Sequence, residues 1–211
     1  MKAVVLDATW APREGYDLGP DEASSRLPRQ ASGVWRAPSL GVVDLADPTP
    51  GPGEVVVEVE RCGVCGSDTH CIETDPQGYV LFSGPARFPN VLGHEYAGRV
   101  VAVGEGVRTL REGQLVAAEG MLYCGLCEAC RRGQPNQCPH LRMVGFSAPG
   151  AYARYITSHE RFLWPLDAIA EGQGGERAAL DHGALVEPVS CAFNGIWVAA
   201  GGMKPGAHVA V

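Results

Sequence analysis

The 211-residue sequence has no long apolar run and little positive charge. No stretch of about 18 apolar residues occurs, so we expect no transmembrane helix and no membrane partner. There are 17 lysines and arginines against 24 aspartates and glutamates, a net charge of −7. This balance argues against nucleic-acid binding, which needs a basic face. The apolar run at the N-terminus is too short for a secretory signal, so we expect a cytoplasmic protein.

Glycine and proline, by contrast, are frequent, with 28 and 16 residues, and they favour a turn-rich β architecture. Strands are predicted at residues 2–7, 54–60, 91–104, 114–119, 151–156 and 161–164. Helical spacing of Ala, Leu and Val over 177–200 predicts a helix that Pro188 breaks or restarts. A further strand is expected over 207–211. The pattern indicates a mainly β domain followed by the first helix and strand of an α/β unit.

Four of the eight cysteines are closely spaced, as Cys124-x2-Cys127-x2-Cys130-x7-Cys138. In a reducing compartment such clusters are more often metal ligands than disulfides. Thiolates at this spacing let one short loop surround a zinc ion, and a site filled by four thiolates has no open position for substrate. We therefore predict a structural zinc. Two disulfides and an iron–sulfur centre with four thiolates are the alternatives.

A second group of candidate ligands comprises Cys65, His94 and Glu95. A catalytic zinc takes fewer protein ligands and keeps one position open, and this set would suit it. Cys62 and Cys65 also form a Cys-x-x-Cys pair of the kind found in redox proteins. That alternative needs a helix start in a βαβ setting, whereas a β-branched strand precedes the pair and polar residues follow it. Cys71 fits neither pattern.

Taken together, these motifs have a familiar order and spacing. They are Val64-Cys65-Gly66-Ser67-Asp68-Thr69-His70, Gly93-His94-Glu95, the four-cysteine lobe, Pro50-Gly51-Pro52-Gly53, Gly150-Ala151-Tyr152-Ala153 and Glu187-Pro188. The sequence resembles the zinc-containing medium-chain dehydrogenases, which include alcohol, polyol and threonine dehydrogenases, over nearly all of the chain outside residues 11–40. The resemblance implies a GroES-like β-barrel catalytic domain over 1–186 with a zinc lobe at 120–140. It also implies the start of a Rossmann-type dinucleotide-binding domain at 187–211.

The resemblance implies the ligands of a catalytic zinc. Cys65 and His94 would be two of them, and Glu95 would be the carboxylate that ligates the metal or exchanges with water. Glu187 falls where the family places its remaining ligand, a cysteine in alcohol dehydrogenases and often a glutamate in polyol and threonine dehydrogenases. Cys191, one helical turn later, is the competing candidate. With the cysteine lobe, this makes two zinc ions per chain.

The resemblance also implies a proton relay. Asp68 would hold the His94 imidazole, Ser67 would pass the substrate proton, and His70 would carry it towards solvent. Zinc would lower the pKa of the bound alcohol, and the alkoxide would give hydride to NAD or NADP in the full-length enzyme. The predicted function is a zinc-dependent dehydrogenase of a small secondary alcohol or polyol, homo-oligomeric when full length.

The sequence departs from the family pattern in two places. No Gly-rich turn follows Val211, which we interpret as a fragment of a longer enzyme, a natural short protein or one member of a two-chain enzyme. In each case we expect this polypeptide alone to bind zinc but to transfer hydride poorly. Ala11 to Leu40 is rich in Pro, Gly, Ser and charge, and it is predicted to be a solvated insertion loop, with a cap over the active site or a contact surface as alternatives.

The cysteine motifs also occur in proteins with two other functions. A non-catalytic zinc-binding or interaction module derived from such an enzyme stays open. A zinc-finger-like nucleic-acid binder is disfavoured by the acidic charge and by the lack of a basic, aromatic-rich face.

Overall fold

The computed structural model describes residues 1–172, 174–203 and 206. The strands in these residues are β1 (Lys2–Trp10), β2 (Trp35–Asp44), β3 (Glu54–Cys62), β4 (Asn90–Val91), β5 (Tyr96–Val103), β6 (Leu115–Ala118), β7 (Met121–Leu122), β8 (Arg142–Met143), β9 (Tyr155–His159) and β10 (Leu163–Pro165). The α-helices are α1 (Pro20–Ser25), α2 (Gly66–Ile72), α3 (Glu128–Arg131), α4 (Asp167–Ala170), α5 (Gly175–Ala184) and α6 (Val186–Phe193). Short 3-10 turns occupy Ala31–Gly33, Pro135–Gln137 and Glu160–Phe162, and Asn194–Ala199 is a π-helical turn.

An antiparallel five-stranded sheet, in the order β10-β6-β5-β3-β9, forms the centre of the molecule. In β3, Val57 pairs with Val100 of β5 on one side and with Ile156 of β9 on the other. The predicted strand at 54–60 is confirmed, but Val55 and Val56 are buried together with Val57. The alternating burial typical of a strand with one solvated face is absent because the main core lies on one face and α5 contacts β3 as well.

A second sheet, in the order β2-β1-β4, corrects the prediction for residues 11–40. That segment is not a solvated loop, since it contains α1, a 3-10 turn and the first residues of β2. Trp35 is 1% exposed and its Nε1 donates a hydrogen bond of 2.8 Å to the Ala86 carbonyl. It packs in a cluster with Leu6 and Phe88. Burying one such aromatic side chain contributes roughly 1.5–3 kcal/mol, which offsets part of the entropy of ordering the segment.

The helical region that was predicted for 177–200 consists of several elements. Helix α5 packs its buried Ala179 and Leu180 against the central sheet. It ends at Ala184, and α6 begins at Val186 with Pro188 in its first turn, where a missing N–H costs nothing. The predicted restart near Pro188 is confirmed. The strand predicted at 207–211 lies outside the described residues, and the domain boundary after residue 186 stays a prediction. No helix in the described part of the chain has the length and apolar character needed to cross a membrane.

The strand predicted at 151–156 begins later than expected. It runs over Tyr155–His159, whereas Ala151 and Tyr152 lie in a bend whose amides donate to the carbonyls of Gly93 and Leu92. The difference places the Tyr152 side chain beside the turn that carries the second group of candidate ligands.

Two candidate metal centres

Three of the predicted ligands converge in space. The donor atoms of Cys65, His94 and Glu95 all lie within 4.8 Å of one another. Cys65 is the residue that caps the N-terminus of α2, and the other two lie in the turn between β4 and β5. A thiol, an imidazole and a carboxylate this close together suit a zinc ion that keeps an open position. We call these three residues the cleft centre.

The redox-pair alternative for Cys62 and Cys65 finds no support in this geometry. The polar residues after Cys65 form helix α2, contrary to expectation, but β3 before it belongs to an antiparallel sheet and not to a βαβ unit. The Cys62 thiol contacts the carbonyl of the next residue, Gly63, at 3.7 Å. Burial raises the pKa of Cys62 to about 12, so it is a poor nucleophile.

Asp68 connects the parts of the cleft centre. Its side chain is 2% exposed, and Oδ2 accepts hydrogen bonds from the Cys65 amide at 3.0 Å and the Tyr152 hydroxyl at 2.9 Å. Oδ1 accepts from the Gly93 amide at 3.2 Å and lies 3.6 Å from Nδ1 of His94. One buried carboxylate thus accepts a hydrogen bond from the backbone of one candidate ligand and faces the ring of another, and its supporting role at a metal stays a prediction.

Charged and polar groups around His94 shift the pKa of its imidazole. Burial lowers the pKa of His94, but the Asp68 carboxylate, the Cys65 thiol and Glu187 outweigh that effect and raise it to about 9. Nδ1 of His94 has no hydrogen-bond partner within 3.5 Å in the described residues. Burial likewise raises the pKa of Asp68, yet His94 and the Cys65 amide lower it more, so its pKa is depressed and it remains a carboxylate. The negative groups around the ring therefore stabilise its protonated form when no metal is bound, and a metal cation at the ring would have to displace that proton.

Two glycines, Gly63 and Gly93, leave the space that side chains at the cleft centre occupy. A Cβ at Gly63 would lie 2.1 Å from Oε2 of Glu95, so only glycine lets that carboxylate occupy its position. Gly93 has φ +89°, a region that L side chains rarely adopt, and a Cβ there would lie 2.6 Å from the Tyr152 ring. The Gly-His-Glu turn therefore depends on glycine for both its backbone and its packing.

The cleft centre opens into a cavity of about 370 Å³. Ser67, Glu187 and Cys191 also line it. Glu187 is not among the donors that converge within 4.8 Å, and its Oε1 accepts a hydrogen bond of 3.4 Å from the Cys191 thiol. The cavity thus holds both candidates for the remaining ligand and leaves the choice between them a prediction. His70 is exposed on the last turn of α2 and does not line the cavity.

Several cavity residues were missed by sequence reasoning. Apolar side chains from distant parts of the chain form most of the remaining lining: Phe82, Met121, Met143 and Phe146. Nothing in the spacing of these residues indicates a shared site.

Tyr152 was noted only as part of a motif, although its hydroxyl lies 2.9 Å from both Asp68 Oδ2 and the Gly63 carbonyl. Burial raises the pKa of Tyr152, so the hydroxyl keeps its proton and donates.

The four lobe cysteines form a separate group of donors. Their thiols also lie within 4.8 Å of one another: Cys124, Cys127, Cys130 and Cys138. The amides of Leu126 and Cys127 donate to the Cys124 sulfur at 3.4 and 3.3 Å. These two hydrogen bonds lower the pKa of Cys124 to about 6. All eight cysteines are free in the structure, so the disulfide alternative is not supported. We call these four residues the lobe centre.

Comparison with known proteins was consistent with these features. Residues 51–168 match the family model of the alcohol dehydrogenase GroES-like domain. That span contains the lobe centre and the cleft centre. The prediction of a mainly β, GroES-like fold is thereby confirmed.

Individual relatives agree with the family model. The chain is 39% identical over its whole length to scyllo-inosose 3-dehydrogenase from Thermotoga maritima, and spans 55% of that protein. It is 41% identical over 61% of its length to L-threonine 3-dehydrogenase from Saccharopolyspora erythraea, and spans 36% of that protein. A solved structure of a candidate alcohol dehydrogenase from T. maritima superposes with a TM-score of 0.90 at 38% identity, over 97% of this chain and 53% of that one. The chain thus spans about half the length of the most similar of these relatives.

Proposed function

Because the chain belongs to the zinc-containing medium-chain dehydrogenases, we propose that it provides the metal-holding catalytic domain of a zinc-dependent alcohol or polyol dehydrogenase. The observation that carries this proposal is the convergence of Cys65, His94 and Glu95 at the end of a cavity of about 370 Å³. A mixed donor set facing a cavity is what a catalytic metal needs, whereas a purely structural site is closed.

The residues of the chain have separable roles in this reaction. A zinc ion held by Cys65, His94 and Glu95, with Glu187 as the remaining candidate, would supply Lewis acidity towards an alcohol or ketone oxygen. Ser67 in the cavity wall offers its hydroxyl as the acceptor of the proton that leaves the substrate alcohol. Asp68, whose Oδ1 lies 3.6 Å from Nδ1 of His94, would orient the imidazole ring.

The lobe centre has a different role. We propose that Cys124, Cys127, Cys130 and Cys138 hold a second zinc ion, which orders the loop and takes no part in the chemistry. The proposal therefore gives two zinc ions per chain, one for each donor cluster, and the clusters support it.

The substrate and the cofactor are inferred from the same family. The substrate is proposed to be a small secondary alcohol or polyol, the class to which the named substrate of the T. maritima relative belongs. Oxidation removes a hydride from the alcohol carbon and a proton from its oxygen. NAD or NADP, bound by the full-length enzyme, would accept the hydride, and Ser67 would pass the proton on to His70 on the exposed turn of α2. A cytoplasmic location and a homo-oligomeric enzyme stay predictions from the sequence.

Zinc content per chain, measured by elemental analysis of the purified protein, tests the proposal. We expect about two zinc ions in the wild type and about one in Cys65→Ser, because a hydroxyl replaces the thiolate of the cleft centre. Cys62→Ser is the matched control, since its thiol lies three residues away and outside the donor set. It should keep both ions.

A content of about one ion that Cys65→Ser leaves unchanged would contradict a catalytic metal in this chain. It would favour a zinc-binding module in which only the lobe centre is loaded.

A further inference from the structure

The four cysteines of the lobe centre differ in their surroundings. Cys138 is buried. The Cys124 sulfur accepts hydrogen bonds from the amides of Leu126 and Cys127. Cys127 and Cys130 are both partly exposed, and their sulfurs lie 3.4 Å apart. The sulfurs of Cys124 and Cys130 are farther apart, at 4.0 Å. Cys127 and Cys130 thus form a closely spaced, accessible pair within the four.

The backbone around this pair would permit a disulfide between the two residues. Cys127 immediately precedes α3 and Cys130 lies in its first turn, so the two side chains leave the helix on the same side. A disulfide bond is about 2.0 Å long, and the two sulfurs would have to approach by only about 1.4 Å to form one. Because both residues are partly exposed, a small oxidant can reach them.

The cleft centre has no comparable pair. Cys65 is the single thiol among its three donors. The Cys62 thiol, three residues earlier, contacts the Gly63 carbonyl at 3.7 Å. The thiol of Cys191, which also lines the cavity, donates to Glu187. An oxidant that forms disulfides should therefore act on the lobe centre before the cleft centre.

We propose that the lobe centre is an oxidant-sensitive switch, in which a hydroperoxide joins Cys127 and Cys130 in a disulfide. The lobe then releases its zinc ion, while the cleft centre keeps its own. The inference rests on the proposed function, because it takes the four lobe cysteines as zinc ligands. Opening of the lobe would also reach the cavity, because Met121 and Met143, on the two strands that the lobe connects, line it.

The chemistry of the switch balances with hydrogen peroxide as the oxidant. One thiolate sulfur of the pair attacks a peroxide oxygen, the O–O bond breaks, and a sulfenic acid and hydroxide form. The second thiolate attacks the sulfenic sulfur, the S–S bond forms, and the S–O bond breaks with loss of a second hydroxide. Each sulfur loses one electron, and the peroxide gains two and becomes two water molecules with two protons from solvent. Cys124 and Cys138 remain, and two ligands are too few for a structural zinc site.

The test exposes the zinc-loaded 211-residue chain to hydrogen peroxide in the presence of a chromophoric chelator, with a sample that lacks peroxide as the background. We expect the release of about one zinc ion per chain, and a peptide map that shows a Cys127–Cys130 disulfide after free thiols are alkylated. Dithiothreitol and added zinc should restore the original zinc content. Cys65→Ser lacks a ligand of the cleft centre, so release of the same single ion from it would identify the lobe as the source.

Two variants of matched ligand composition assign the release to the pair. Cys127→His removes the pair but leaves three thiolates and an imidazole, a donor set that holds structural zinc in proteins. It should release zinc several-fold more slowly than the wild type. Cys138→His has the same composition and retains the pair, so it should release zinc at the wild-type rate.

The outcomes separate this inference from the function beneath it. If Cys65→Ser contains no zinc before peroxide is added, the proposed structural zinc fails and the switch fails with it. If zinc is present but peroxide forms a different disulfide, or none, the switch alone is refuted. Release of both ions at the same rate, or equal release from Cys127→His and Cys138→His, would also refute it. Should a histidine variant not bind zinc, the peptide map and the ion count of the wild type still decide.

Discussion

The lobe centre and the cleft centre both gather metal-ligand side chains, but they are assembled in opposite ways. The lobe centre takes four thiols from one short stretch, Cys124 to Cys138, and amides of the same stretch hydrogen-bond to the sulfurs. The cleft centre takes three different donor types from two separate elements. Its supporting groups, Asp68 and Tyr152, come from α2 and from a bend near β9. One centre is local in sequence, and the other exists only in the folded protein.

The two centres therefore differ in how much the surrounding fold orders their side chains. Within residues 121–140 only Cys138 is buried, so the lobe has almost no apolar core, and we expect a bound metal to order it. Around the cleft centre Asp68, His94 and Glu95 are all buried in a preformed frame. A local centre can organise a loop, whereas a centre held by the whole fold can keep ligands fixed while a substrate comes and goes.

Removing the metal should therefore affect the two regions very unequally, and this is the largest effect we expect. Stripping the protein with a chelator should unfold residues 121–140, because metal binding supplies roughly 10–16 kcal/mol of apparent folding free energy in small zinc domains. The central sheet and α2 should stay folded. Limited proteolysis followed by mass spectrometry would locate the new cleavage sites.

Cys127→Ser is the matched variant for this experiment, since it should open the same region to the protease while zinc is present. Cleavage that appears in α2 and the lobe at the same rate would contradict the proposed division between a local and a fold-dependent centre.

The same division explains what could be predicted from sequence. The four cysteines of the lobe centre could be grouped from the sequence because they lie at characteristic local spacing, and their convergence agrees with that grouping. Of the cleft centre, Cys65, His94 and Glu95 were all identifiable from motifs. The clearance that Gly63 gives to the Glu95 carboxylate and the contact of the Tyr152 hydroxyl with Asp68 depend on residues distant in sequence. The position of Phe82 had no sequence signal at all.

The error over residues 11–40 has a related cause. Strand β2 is exposed along most of its length, so its side chains show no period-two burial that a pattern could reveal. It is held by backbone pairing with β1, from Lys2 opposite Asp44 to Trp10 opposite Trp35. Backbone pairing leaves no mark on composition, and a segment rich in Pro, Gly and Ser therefore resembled a loop.

Asp68→Asn should distinguish the two centres, because it should lower metal affinity at the cleft centre alone. Asparagine keeps the size of the side chain but removes the negative charge that faces His94. Loss of such a partner typically lowers metal affinity about 10–100-fold, and we expect this at the cleft centre with no change at the lobe centre. Competition titration with a chromophoric chelator resolves the two sites. Asp167→Asn, a carboxylate on α4 far from either centre in sequence, should leave both affinities unchanged, and equal weakening of both sites by Asp68→Asn would contradict the prediction.

Tyr152→Phe should produce the smallest of these effects. It removes one hydroxyl that lies 2.9 Å from Asp68 Oδ2 and keeps the ring that packs over Gly93. Because Asp68 retains the amide donors of Cys65 and Gly93, we expect a loss of about 1 kcal/mol in unfolding free energy, and a decrease in cleft affinity below that of Asp68→Asn.

Chemical denaturation and the same chelator titration measure both quantities for Tyr152→Phe, with Tyr155→Phe on β9 as the control. If Tyr152→Phe lowered stability but left the cleft affinity at the wild-type value, the hydroxyl would serve packing alone. Asp68 would then hold its position without Tyr152, and only α2 and the Gly93 turn would support the cleft centre. A loss of affinity confined to the cleft centre would instead extend that support to the bend before β9, because no element of the lobe contacts this hydroxyl in the described residues.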